Sequence, residues 1–224
     1  IGRSDEEIKD AYKNDAKVLS VEELLYAATL TDNVAEKKSI FTTASQNYPS
    51  DYRAFNNLGE LAFAAGDFKT AEANFKKALS IKDAPEVNTN MGLLCLAQNN
   101  PNEAAKYFAK GGESQENKEA LGNMYIALGQ YERALTNLKG NNTNGEALAM
   151  IMTKDYTGAK RVLSAVKNAD AYTSYLAAVA AARTNDAAAV AQNLKKAISQ
   201  DASMKTKALS DLEFVKFASA LAGL

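Results

Sequence analysis

The sequence predicts an all-α fold, a superhelical solenoid of antiparallel helix pairs, and three observations carry that prediction. Apolar residues recur at helical spacing, in paired stripes separated by tight turns. The paired stripes return in phase at intervals of 33 and then 30 residues. Runs of Val, Ile and Thr at period two, the mark of strands, are absent. A hairpin of two short helices cannot bury its own apolar face, so such hairpins must stack on one another. With 46% hydrophobic and 24% charged residues, the chain has the balance of a folded protein.

The elements follow in order. Ser4-Asp5-Glu6-Glu7 is a capping box, which predicts a helix from Asp5 to about Asn14. Ser20 and Glu23 form a second, opening a helix to about Leu30 that turns Leu24, Leu25 and Ala28 inward. Asn33 and Glu36 start a third helix, with Ile40, Phe41 and Ala44 inward. It stops before Tyr48-Pro49, because the residue preceding proline avoids helical geometry. The best-formed hairpin runs from Tyr52 to Asp83. Phe55, Leu58, Gly59 and Ala62 make one stripe, Gly66-Asp67 the turn, and Ala71, Phe75 and Ala78 the second stripe.

Later copies repeat this hairpin. Met91, Gly92 and Cys95, the turn Asn99-Asn100-Pro101, then Ala104 and Phe108 form the next. Leu121, Gly122 and Tyr125, the turn Gly129-Gln130-Tyr131, then Ala134 and Leu138 form a third. An abbreviated hairpin is expected at Glu146–Thr153 and Tyr156–Val166, and a fifth at Ala171–Arg183 and Ala187–Ser199, with Leu194 and Ala197 in the places of Phe75 and Ala78. The tail from Ser203 predicts a short helix, then a second one capped by Asp211 that turns Leu212, Phe214, Val215 and Phe217 inward. The chain therefore divides into an N-terminal helical cap (1–17), an array of about five hairpins (18–200) and C-terminal capping helices (201–224).

Composition excludes several function classes. The absence of histidine removes the commonest general base and metal ligand together. The single cysteine, Cys95, falls on a packing stripe and reads as a buried thiol with no base to activate it. Gly111-Gly112-Glu113-Ser114 lacks the ending of a phosphate loop and reads as a helix stop. Acidic residues are spread without calcium-loop spacing. No catalytic residue, metal site or cofactor is expected. A net charge of -1 argues against nucleic acid, and no apolar run is long enough to span a membrane. The chain begins at Ile1, without Met, so it reads as a fragment or a mature form whose targeting segment was removed.

These residues resemble the tetratricopeptide repeat, whose pattern is W-x2-L-G-x2-Y…A-x3-F…P. The best match is Phe55, Leu58, Gly59, Ala71 and Phe75, with Ala62 at the Tyr place and no Trp in any repeat. The resemblance covers about Leu19 to Ser199 and implies a right-handed superhelix. Gly59, Gly92 and Gly122 would admit the second helix closely, and Phe75 and Phe108 would fill the gaps between hairpins. A narrower resemblance rests on SVEELLYAATL (20–30), YPSDYRAFNNLG (48–59) and DLEF (211–214), which look like the repeat region of OmpA-type outer-membrane lipoproteins of Bacteroidetes. It implies a periplasmic or outer-membrane-associated setting, and attachment to a peptidoglycan-binding or lipid-anchored domain outside this chain. A cytoplasmic setting is the alternative.

The concave face of such an array is lined by the first helix of each pair. The residues expected there are Arg53, Asn56, Glu60 and Phe63, then Asn90 and Leu96, Asn123 and Ile126, and Tyr175. Asparagines can bond both the N–H and the C=O of an extended peptide, and the acids disfavour an acidic one. The lysine-rich clamp by which related repeats hold a C-terminal carboxylate is missing, with Asn56, Glu60, Glu86 and Asn90 in its positions. The functional expectation is a non-enzymatic scaffold that binds a protein or peptide partner in a bacterial cell-envelope assembly. The alternative is a structural spacer with no ligand of its own.

Overall fold

The turns between paired helices decide the architecture. At five of them one residue adopts a left-handed backbone: Gly66, Asn99, Gly129, Lys154 and Asn185, with φ between 60° and 78°. The following residue sends its N–H back five positions, as in Asp67 to Ala62 (2.9 Å), Asn100 to Cys95 (2.8 Å) and Gln130 to Tyr125 (2.8 Å). This closes the first helix in the way a Schellman motif does. At four of the five turns the side chain of that same residue (Asp67, Asn100, Asp155, Asp186) then accepts a backbone N–H of the next helix and caps it. One short sequence thus ends one helix and starts the next.

The computed structural model describes residues 2–224, and their regular structure is helical, with no strand among the described residues. It forms two compact units, one ending at Ala120 and the other beginning at Leu121. The first unit contains α1 (Asp5–Asn14), the pair α2 (Val21–Thr29) and α3 (Val34–Asn47), and the pair α4 (Tyr52–Ala64) and α5 (Phe68–Ile81). The pair α6 (Pro85–Ala97) and α7 (Pro101–Phe108) and the start of α8 (Gln115–Ala127) complete it. The second unit holds the rest of α8 with α9 (Tyr131–Leu138), then α10 (Asn144–Met152) with α11 (Tyr156–Ser164), and α12 (Ala171–Arg183) with α13 (Ala187–Gln200). It ends with α14 (Met204–Ser210), a 3-10 turn at Leu212–Phe214 and α15 (Ala218–Ala222).

Both expected capping boxes form, at Ser4 with Glu7 and at Ser20 with Glu23. The packing stripes are where their spacing put them. Ala71, Ala104, Ala134, Ala159 and Ala197 are buried without exception, as are Phe75, Phe108, Leu138 and Leu194. The glycines show why the stripe needs them. A Cβ on Gly59 would lie 2.5 Å from the Phe75 ring, one on Gly92 2.3 Å from the Phe108 ring, and one on Gly122 2.3 Å from Leu138. In these three hairpins the two helices approach until an aromatic or leucine side chain rests on bare backbone.

The tail differs from expectation. Asp211 does cap, accepting the Glu213 N–H at 3.0 Å, but only a 3-10 turn follows. Phe214 and Phe217 enter the core, whereas Leu212 (85% exposed) and Val215 (67%) point into water. A helical stripe cannot continue through that turn, so its inward residues are 214 and 217 only. The fourth hairpin begins at Asn144, two residues before the expected start, because the Thr143 hydroxyl accepts the Glu146 N–H at 3.2 Å and caps it there.

Lys154 is the one turn residue among the five that is neither Gly nor Asn, and its φ is +69°. A left-handed backbone costs an L-residue with a long side chain about 1–2 kcal/mol. Lys154→Gly is therefore expected to raise the free energy of unfolding by about 0.5–1 kcal/mol, after the entropy that glycine adds to the unfolded chain. Urea titration followed by helical circular dichroism measures it, and an unchanged midpoint would show that the turn carries no strain.

Candidate functional site

The expected ligand-facing residues lie on separate compact units, and each set is described within its own. In the first unit, α4 and α6 bring together Asn56, Glu60 and Asn90. The Asn90 amide nitrogen donates to Asn56 Oδ1 and to Glu60 Oε1, at 2.9 Å each. Asn56 and Asn90 are 6% and 9% exposed, so they are more enclosed than an open groove surface requires. Each amide spends one arm on this ladder. Among the described residues, the Asn56 NH2 and the Asn90 carbonyl have no protein partner. One donor and one acceptor are thus held side by side in a rigid setting, the pair that one peptide unit of an extended chain would satisfy.

Glu60 stands at the edge of this ladder and is open to water. Protein atoms nonetheless crowd its carboxyl, and the resulting loss of hydration raises its pKa above the ordinary glutamate value. The Asn90 bond opposes that rise, while the negative charge of Glu116 adds to it. No cation pairs with Glu60 among the described residues. Nearby, the Tyr52 hydroxyl bonds the Glu86 carboxylate. Burial first, and that bond second, push the Tyr52 pKa up to about 12.

The remaining expected contacts of this unit are partly committed elsewhere. Arg53 pairs with Asp51 at 2.7 Å and with Glu22 at 3.1 Å, so its guanidinium braces α4 against α2. Hydrogen bonding from Arg53 holds the Asp51 carboxyl below its usual range. Phe63 packs on Phe68 across the turn, with ring centroids 5.5 Å apart, and Leu96 is half-buried. Thr89 of α6 is buried and donates to Asn117 Oδ1 at 2.9 Å. The Asn117 amide in turn donates to the carbonyls of Phe108 (3.1 Å) and Gly112 (2.9 Å), which pins the loop entering α8. Cys95 is buried, and loss of hydration raises its thiol pKa.

In the second unit, Asn123 is exposed and Ile126 is half-buried against the cluster of Ala134, Leu138 and Ala149. Tyr175 does not fit its expected role. It is 2% exposed, its hydroxyl donates to Asp211 at 2.5 Å, and its ring meets Phe214 edge-on at 5.6 Å. The C-terminal segment folds over α12 and takes that face for packing. The neighbouring Tyr172 stays half-exposed, with the Lys207 ammonium 4.8 Å from its ring and 4.7 Å from that of Tyr175. This cation–π contact had no signal in the sequence, because Lys207 lies 32 residues beyond Tyr175.

Comparison with known proteins agrees with this geometry. A tetratricopeptide repeat family model matches residues 62–124. Paired helices, bare glycine contacts and the repeated turn are the features of such repeats, and the chain carries them: its helix pairs have the tetratricopeptide-repeat fold. Among solved structures, PilF of Pseudomonas aeruginosa is 17% identical at a TM-score of 0.70, covering 97% of this chain and 99% of its own. PilW, described as a type IV pilus biogenesis factor, is 19% identical at a TM-score of 0.70, covering 90% and 98%. YrrB, described as having an unusual peptide-binding site, is 22% identical at a TM-score of 0.58, covering 72% and 92%. At these identities the likeness is one of fold. No curated protein matches the sequence significantly. The narrower resemblance to outer-membrane lipoproteins is not among the features these comparisons support.

Proposed function

We propose that the chain is a non-catalytic scaffold whose α4–α6 face holds an extended, basic segment of a partner protein. The observation that supports this is the Asn56–Asn90–Glu60 ladder, with one amide donor, one amide acceptor and a carboxylate that has no cation beside it. A carboxylate held at a cost in hydration is favourable where a ligand cation comes to it. The neighbouring acids Glu86 and Glu116 extend the same polarity. The segments 1–17 and 201–224 serve in this reading as caps of the hairpin array. The setting is a bacterial cell-envelope assembly, which draws on the resemblance to envelope lipoproteins and on the fold shared with pilus-biogenesis proteins.

A fluorescently labelled peptide of alternating lysine and serine tests this by anisotropy. Saturable binding to the wild-type chain is expected, weakened roughly tenfold in the Asn56→Ala, Glu60→Gln double variant, the equivalent of one good charged contact. Affinity is also expected to fall as pH is lowered through the raised pKa of Glu60, because protonation removes its charge. Stability runs the other way. A raised folded-state pKa makes the contribution of Glu60 full in acid and lost as pH rises through that value. Glu60→Gln is therefore expected to raise the melting temperature at pH 7 while weakening the peptide. Equal affinity of both proteins would overturn the assignment, and no saturable binding would favour the spacer reading.

A further inference from the structure

The second unit contains a cleft that the α4–α6 reading does not use. It lies along α12 between α11 and α13 and encloses about 470 Å3, within the range of ligand sites. Its floor is the α12 face carrying Ser174, Ala177 and Ala181, whose small side chains leave the space open. α11 contributes Lys160 and α13 contributes Lys196. Lys160 stands at one end, where its ammonium donates to the Thr184 hydroxyl at 3.0 Å. Lys196 lies one turn before Gln200, which bonds Ser174 at 3.4 Å, so it stands toward the other end. Neither lysine has a carboxylate partner among the described residues. The one acid on the lining, Asp186, is committed to capping α13 through the Ala189 N–H at 3.1 Å.

The charge of the whole unit agrees with its cleft. Residues 121–224 carry 12 Lys and Arg against 8 Asp and Glu, while residues 1–120 carry 14 against 19. The near-zero net charge of the chain conceals a basic unit and an acidic one. Such an asymmetry steers oppositely charged partners to different places.

We infer that the α11–α12–α13 cleft is a second protein-docking site, which takes a short extended acidic segment of a partner. From Ser174 to Ala181 the floor rises about 10 Å at 1.5 Å per helical residue, the span of about three extended residues. An odd separation sends the two side chains to opposite sides of the segment. Carboxylates at positions i and i+3 would therefore reach Lys160 on one wall and Lys196 on the other, over a floor that admits only small intervening side chains.

The probe is the rhodamine-labelled peptide Gly-Ser-Glu-Ser-Ala-Glu-Ser-Gly, with a control peptide bearing Gln in both Glu positions, titrated against the full chain. The expected result is saturable binding of the acidic peptide only. It should be lost by roughly tenfold or more in the Lys160→Glu, Lys196→Glu variant. Ala177→Leu should produce the same loss by filling the cleft without changing charge, with its fold verified by circular dichroism. Lys139→Glu, Lys205→Glu, outside the cleft, should leave binding unchanged. Equal loss in that control would overturn the inference in favour of diffuse charge attraction. Absence of saturable binding would overturn it outright, as would light scattering that shows a second copy of the chain occupying the cleft. The site is read with an acidic probe and the α4–α6 face with a basic one, so the failure of either leaves the other standing.

Discussion

Phe108→Ala is expected to cost about 3–5 kcal/mol of unfolding free energy, the range for emptying a buried phenylalanine site. The ring is 1% exposed and rests on the bare backbone of Gly92. Domain stability is about 5–15 kcal/mol, so this single change removes a large share of it. The sharper expectation concerns the partner. In the wild-type chain, Gly92→Ala puts a methyl 2.3 Å from the ring and is expected to destabilise by about 1–3 kcal/mol through overpacking. In the Phe108→Ala background that obstacle is gone. Alanine in a helix interior is worth about 0.8–1 kcal/mol over glycine, so the same substitution is expected to stabilise. Denaturant titration of the four proteins gives the cycle. Additive effects would show that the ring and the glycine do not share one packing contact, and that the glycine stripe has some other cause.

Glu146→Ala is expected to cost about 2–6 kcal/mol. The side chain is 1% exposed, and each carboxylate oxygen accepts a backbone N–H of the preceding loop, from Gly140 at 2.6 Å and from Asn142 at 2.9 Å. Truncation leaves both donors unpaired, at about 1–3 kcal/mol each. Glu146→Gln is expected to recover little, since its amide NH2 would confront one of the two N–H groups. Urea titration gives the magnitude, and hydrogen exchange of the Gly140 and Asn142 amides gives the place. Unchanged protection of those two amides in Glu146→Ala would show that the loop is held by something else.

Glu146 also illustrates what was hidden in the sequence. It was legible only as the first residue of an expected helix. That it would turn back to organise an Asn/Gly-rich loop was not, because nothing in a one-dimensional pattern says where a carboxylate will be enclosed. Asn117 is a second case: a polar residue on a charged helix start that proves to be buried and to bond three separate groups. The placement of the candidate residues shows the same limit. Spacing placed Asn56, Glu60 and Asn90 on facing helices, and they meet. Spacing equally placed Tyr175 on the ligand side, where the Phe214 and Asp211 segment covers it.

By itself, the sequence determined the helices, their turns and their apolar stripes. Those depend on contacts within a hairpin, where a glycine, an alanine and an aromatic at set intervals admit one close approach. It also excluded histidine chemistry, since residues that are absent cannot be supplied by folding. Only the tertiary structure decided which polar residues remain available. The side of a stripe that meets water depends on what the chain folds over it from many residues away. Arg53 was taken by Asp51 and Glu22, and Tyr175 by the C-terminal cap. Glu60 kept an open carboxylate, and Lys160 and Lys196 were left facing a cleft, because no acid from elsewhere in their units reaches them.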